Sequence, residues 1–255
     1  MLRRLLQRSL NRKADPNAQS AVQHLEELRR RLITIFTAFI VSMAAALLGV
    51  EHIYNWLVRN LDQKLVLLGP SDVIWVYMVL SGVVGVIITL PIAAYQIWKF
   101  VQPAVPDASS RSVRLVIPLI SIQFILGISF GYFVLFPMVL EFMERMADRG
   151  FETMYTAQKY FAFLVHMTVP FGVLFEMPVV IVFLTKLGIL NPERLAKSRK
   201  MAYFLLCIIA VTITPPDIMS DLIVIVPLFL LYELSIGISK AVYTKHLRLT
   251  QAGNG

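Results

Sequence analysis

The 255 residues hold a single cysteine, Cys207, so no intrachain disulfide can form. Cys207 stands in an apolar run and reads as a small packing residue. Charge is scarce too. Asp, Glu, Lys and Arg make up 16% of the chain, against about a quarter in soluble domains. No HExxH, GxSxG or glycine-rich phosphate loop occurs, which removes the common hydrolase and nucleotide-binding readings. An enzyme is not expected. No Cys or His cluster has ligand spacing, so neither a metal nor another cofactor is expected. No Gly/Ser-rich or Pro-rich linker divides the chain, which argues for one domain.

Apolar residues fill the space that charge leaves. They make up 57% of the chain, and the mean hydropathy is +0.70. Long uncharged runs alternate with short charged ones, the pattern of an all-α protein that crosses a bilayer several times. Six spans are expected, near 32–50, 73–98, 114–140, 159–187, 201–214 and 218–239. Residues 1–31 form an amphipathic N-terminal region, 32–239 the six-span domain and 240–255 a polar tail. In the N-terminal region Leu2, Leu5, Leu6 and Leu10 can share one helical face, as can Val22, Leu25, Leu28 and Leu32. Cleavage after an N-terminal signal is not expected, because the basic stretch is long for one. The fifth span is short. At 1.5 Å per residue it reaches about 21 Å against a hydrocarbon core of about 30 Å, so its helix extends towards Ser198 or the bilayer thins.

Orientation follows from the cations. Of 24 Lys and Arg residues, 19 lie in the N-terminal region, the 99–114 loop, the 186–200 segment and the C-terminal tail. The positive-inside rule then places both termini in the cytoplasm. It also accounts for most of the net charge of +8 without a nucleic-acid partner.

Several polar groups invite a functional reading. Glu176 lies deep in the fourth span between Pro170 and Pro178. A carboxylate there costs about 2.5–3.5 kcal/mol on insertion scales, so it should face a cavity, a partner or a structural hydrogen bond. His166 on the same span reads more simply as a packing residue. Gln123 is the one strongly polar group inside the third span, where Gly127 and Gly131 make a GxxxG helix-contact pair. Thr214-Pro215-Pro216-Asp217 reads as a helix start, and Asp217 and Asp221 fall four residues apart on one face. Glu233 reads as interfacial. Glu26 and Glu27 stand beside Arg29, Arg30 and Arg31. They suit either a salt-bridged surface or a carboxylate site for a basic peptide.

The order of these segments resembles a known family. His24-Leu25-Glu26-Glu27-Leu28-Arg29-Arg30-Arg31-Leu32 is similar to the N-terminal signature of TatC, the receptor subunit of twin-arginine protein export. Pro91 through Phe100, with Tyr95-Gln96 and Trp98, resembles its second span. Phe130-Gly131-Tyr132-Phe133 and Phe136-Pro137 resemble its third, and Pro170 through Pro178 its fourth. Thr214 through Asp217 and Pro227 through Glu233 match the last two. The resemblance covers about residues 22–243.

It implies a glove-shaped bundle of six helices in the bacterial inner (cytoplasmic) membrane. Such a protein binds the twin-arginine signal peptides of folded precursors. It works with single-span partners of the TatA/TatB type, self-associates in the receptor complex and uses the proton motive force. By position, Glu27, Arg29 and Phe100 belong to the signal-reading surface. Glu176 and the Thr214–Asp217 corner, with Asp221 beyond it, belong to the intramembrane and outer groups. The family's first cytoplasmic loop carries a glutamate where this chain has Ser109, in Pro106-Asp107-Ala108-Ser109-Ser110-Arg111. Asp107 or the Glu26–Glu27 pair would then carry more of the arginine recognition, with Arg111 close by. A proton-coupled transporter using Glu176 and His166, and a purely structural scaffold, are the alternatives. The halves 32–140 and 159–239 show no self-similarity of the kind the first would favour.

Overall fold

A computed structural model describes residues 16–59, 61, 64–101, 110–147, 154–186, 188–214 and 218–252. The described chain is all-helical apart from one isolated bridge. In chain order the helices are α1 (Pro16–Leu48), α2 (Val50–Val58), α3 (Pro70–Val101) and α4 (Ser110–Phe130). A π-helical turn, Gly131–Leu135, joins α4 to α5 (Phe136–Ala147). Then follow α6 (Ala157–Phe175), α7 (Met177–Lys186), α8 (Pro192–Lys197), α9 (Arg199–Ile213) and α10 (Ile218–Ala252).

Five helical stretches are long and apolar enough to cross a membrane: Leu25–Leu48, Pro70–Val101, Ile117–Ala147, Ala157–Lys186 and Asp221–Thr244. The physical cause is simple. Lipid offers no partner for backbone N–H and C=O groups, so an uncharged run of this length satisfies them within a helix. The chain is a multi-pass membrane protein. The short α9 gains Arg199 and Lys200 at its start, so it extends towards Ser198 as one of the two expected options allowed. Its 15 residues still reach only about 22 Å.

Packing runs by paired helices, of which α1–α3 and α4–α6 are antiparallel. α1 lies on α3, α4 on α6, and α10 on α7. The α4–α6 joint is the closest. A Cβ built on Gly127 would stand 2.5 Å from the Phe171 carbonyl oxygen, and one on Gly131 would stand 2.7 Å from the Thr168 Cα. The GxxxG pair is therefore a backbone-to-backbone contact that only glycine permits. Phe124, Phe161, Met167 and Phe171 fill the surrounding core.

The α7–α10 pair instead shares a buried hydroxyl contact, Thr185 Oγ1 to Ser239 Oγ at 2.7 Å. At the end of the bundle away from the basic loops, the chain ties two connections together. Val66 N–H donates to the Tyr155 carbonyl and Ala157 N–H to the Val66 carbonyl, both at 2.9 Å. Aromatic residues of the kind that suit a headgroup level gather there. Tyr54 packs edge-on to Tyr77 at 6.1 Å, and Trp56 stacks on Tyr132 at 5.5 Å.

Candidate functional site

At the basic end, α1 runs unbroken through the Glu-Glu-Leu-Arg-Arg-Arg stretch into its apolar part. The sequence there contains no Gly or Pro from Asn17 onward to interrupt a helix. A helix places residues four apart on one face, which brings Arg31 over Glu27. Arg31 pairs with the Glu27 carboxylate through Nη2 and through Nε, the latter at 3.2 Å. The same guanidinium reaches across to α3. Its Nη1 donates to the Gln96 carbonyl at 3.1 Å and its Nη2 to the Lys99 carbonyl at 3.2 Å. The Lys99 carbonyl belongs to the last turn of α3, where the helix has no further N–H of its own to satisfy it and the dipole favours a cation, and the Gln96 carbonyl lies one turn earlier. The Arg31 side chain is only 11% exposed, while Glu27 keeps 40%.

The expected signal-reading residues therefore divide. Glu27 and the α3 turn that carries Phe100 are brought together, with Arg31 as the tie. Glu26 and Arg29 stand exposed on the same helix. Arg111 lies in the first turns of α4, described by its backbone alone. Asp107 and Ser109 lie outside the described residues. Arg31 was not among the expected site residues. Its signal in the sequence is the four-residue spacing from Glu27, which the run of three arginines hides.

Beside this surface, α1 and α3 enclose an apolar groove of about 590 Å³. Leu32, Phe36 and Phe39 line it from α1, and Val86, Thr89 and Leu90 from α3. It begins one residue after Arg31.

The intramembrane groups form a second set. Glu176 occupies the break between α6 and α7 and is half-buried. Pro178 falls in the first turn of α7, where a missing N–H costs least. The Glu176 carboxylate lies against the Phe124 backbone, and its Oε1 is buried without a hydrogen-bond partner among the described residues. The Oε1 of Gln123, the chain neighbour of Phe124, shares that condition. His166 is exposed on α6.

Thr214 closes α9, its N–H donating to the Ala210 carbonyl at 2.9 Å. Its hydroxyl sits 2.5 Å from Asp221 Oδ1, so α9 and the first turn of α10 are clasped there. Asp217 and the two prolines before it lie outside the described residues, and with them the expected helix start. Glu233 joins Arg199 at 2.9 Å and also accepts from the Tyr203 hydroxyl, fixing α10 to the start of α9. Among the described residues no group of three or more His, Cys, Asp or Glu could hold a metal.

The geometry is that of a membrane bundle with a charged surface at one end and unanswered polar atoms within. Known proteins share its sequence and shape. The family model for the Sec-independent protein translocase protein (TatC) matches residues 23–227. The chain is 50% identical over 234 residues to the Sec-independent protein translocase protein TatCd of Bacillus subtilis (strain 168), covering 92% of this chain and 97% of that one. It is 32% identical over 241 residues to TatC of Aquifex aeolicus (strain VF5), covering 90% and 98%. The crystal structure of a twin-arginine translocase receptor, TatC, superposes with a TM-score of 0.75 at 30% identity, covering 86% of this chain and 99% of that one. With a matched segment that takes in both the Glu27 surface and Glu176, this chain belongs to the TatC family of Sec-independent protein translocase proteins.

Proposed function

We propose that this protein is the receptor subunit of a twin-arginine export system in the bacterial cytoplasmic membrane. It binds the twin-arginine signal peptides of folded precursors and organises partner subunits for translocation driven by the proton motive force. The observation that carries this reading is the Glu27 carboxylate, held at the membrane edge by Arg31 against the last turn of α3. A signal peptide joins two arginines to an apolar segment. Its receptor needs a carboxylate at the level where lipid begins, and a guanidinium pairs with a carboxylate through directed hydrogen bonds.

In this reading α9 is the fifth of six spans, its shortness thins the bilayer locally, and the bundle is concave. Residues 1–31 and 240–255 flank the 32–239 membrane domain as cytoplasmic segments. The distribution of Lys and Arg supports both termini being cytoplasmic. Glu26, Glu27, Arg29, Phe100, Asp107, Ser109 and Arg111 make up the signal-reading surface. Glu176, Thr214, Asp217 and Asp221 meet the polar groups of TatA/TatB-type single-span partners or of a second copy. The orphaned oxygens of Glu176 and Gln123 support that assignment, because a buried polar atom is costly until something answers it.

The test is capture in native membranes. A precursor carries a photo-crosslinker beside its arginine pair, and a second precursor has that pair replaced by lysines. Adducts to this protein from the arginine precursor, and few from the lysine one, are expected. Equal yields would sink the receptor reading.

A further inference from the structure

Arg31 carries more than an ordinary surface ion pair does. One guanidinium makes four hydrogen bonds: two to Glu27, one to the Gln96 carbonyl and one to the Lys99 carbonyl. It is largely buried, at 11% exposure. Most exposed i,i+4 pairs leave both partners mobile and are worth little. Here the two α3 carbonyls anchor the arginine, and the anchored arginine in turn fixes the carboxylate. Both contacts to Glu27 go to the same oxygen, Oε1. One carboxylate oxygen is thereby held by an arginine that the backbone of a different helix anchors.

We propose that Arg31 is the positioning residue that sets the arginine-over-lysine preference of the Glu27 surface. The inference rests on the receptor reading above. A planar guanidinium demands a carboxylate of fixed direction, whereas an ammonium is a point charge that accepts any direction. A rigid Glu27 therefore favours arginine selectively. A mobile Glu27 attracts both cations by charge alone. Removing the Arg31 charge also makes the surface more negative, so capture of lysine signals should rise while the preference falls. A damaged fold would lower capture of both signals together. The sign of the lysine change separates the two explanations.

The experiment is the same membrane capture, run on the full chain and on R31Q and R31K with adduct yields normalised to the protein in the membrane. In R31Q the arginine-to-lysine yield ratio should fall about tenfold, the worth of roughly one charge-assisted hydrogen bond, with the lysine yield unchanged or higher. R31K keeps the charge but not the planar fork, and its ratio should lie between. A parent protein that discriminates while R31Q and R31K keep its ratio overturns the inference and leaves the receptor reading standing. Failure of both variants to accumulate, or an equal loss of both signals, also overturns it and makes Arg31 a folding element. A parent protein that does not discriminate overturns the receptor reading itself.

Discussion

The pairs α1–α3 and α4–α6 are both long antiparallel contacts, yet they are held by different means. In α4–α6 the backbones touch through Gly127 and Gly131, and buried aromatic rings seal the joint. In α1–α3 the end near the basic loops is held by one guanidinium, and an apolar groove opens beside it. Burial separates α1 from α6 but not their partners, since the α3 and α4 windows are alike at 28%. Of the apolar window in α1, 11% is buried, against 39% for the window spanning α6 and α7. The tight pair carries the fold. The looser pair carries the proposed signal-reading surface, where the polar contacts of Arg31 tie α1 to α3. Functional elements are commonly drawn from the less stable parts of a structure.

The largest expected effect comes from breaking the tight pair. In Gly127→Leu the new Cβ meets a backbone oxygen at 2.5 Å, which no rotamer change relieves. A loss of about 3 kcal/mol is expected, at the upper end for overpacking. It should appear as poor accumulation in the membrane and a lowered aggregation temperature in detergent. Normal accumulation would mean that α4 and α6 can slide apart and that the contrast between the pairs is weaker than the geometry implies.

Next is Glu27→Gln, which acts on the loose pair and on function. The amide keeps the shape and loses the charge. Capture of arginine signals should drop roughly tenfold to a hundredfold, from the 1.5–3 kcal/mol of a charge-assisted hydrogen bond. Accumulation should stay near that of the parent, because Glu27 keeps 40% of its side chain exposed and the Arg31 contacts to α3 remain. A stability loss as large as that of Gly127→Leu would show that the clamp supports the fold as well as the signal.

Much of this architecture was legible beforehand. Five of the six expected spans coincide with apolar helices because uncharged runs of that length have no other stable form in lipid. The GxxxG pair was visible as a spacing, though its depth of contact was not. The two prolines of the fourth span are visible in the sequence, but the position of the break is not. Pro170 sits inside α6 without ending it, and the chain breaks at Glu176, just ahead of Pro178. The π-helical turn at Gly131–Leu135 had no signal at all, since an inserted residue changes the phase of a helix and not its composition. Arg31 was hidden for a related reason. Arg29, Arg30 and Arg31 are equivalent as a sequence and differ by about 100° around the helix axis. Which of them meets the end of α3 depends on a partner about 65 residues away.

Glu176→Gln tests whether the unanswered carboxylate serves stability or association. Oε1 makes no hydrogen bond among the described residues, so an amide breaks no contact on that side of the group. Stability should stay within about 1 kcal/mol of the parent or improve. Co-purification of single-span partners should fall. A clear loss of stability would return Glu176 to the fold and take it out of the partner contact.

The smallest effect is expected from Gly85→Ala, the counterpart of the Gly127 change in the loose pair. A Cβ there would lie 3.1 Å from the Met43 Cβ and 3.2 Å from the Met43 backbone, so α1 must retreat by a few tenths of an ångström. It is able to retreat, because most of its surface has no protein against it. A cost below about 1 kcal/mol is expected. The Arg31 clamp lies twelve residues along α1, about 18 Å from Met43, so a small local shift should leave Glu27 in place and capture unchanged. Gly127→Ala, measured beside it, has to move backbone within a packed core and should cost several times more. Equal losses in the two alanine variants would mean that α1 is as firmly seated as α6, and that the openness of the signal-reading pair is a matter of shape rather than of stability.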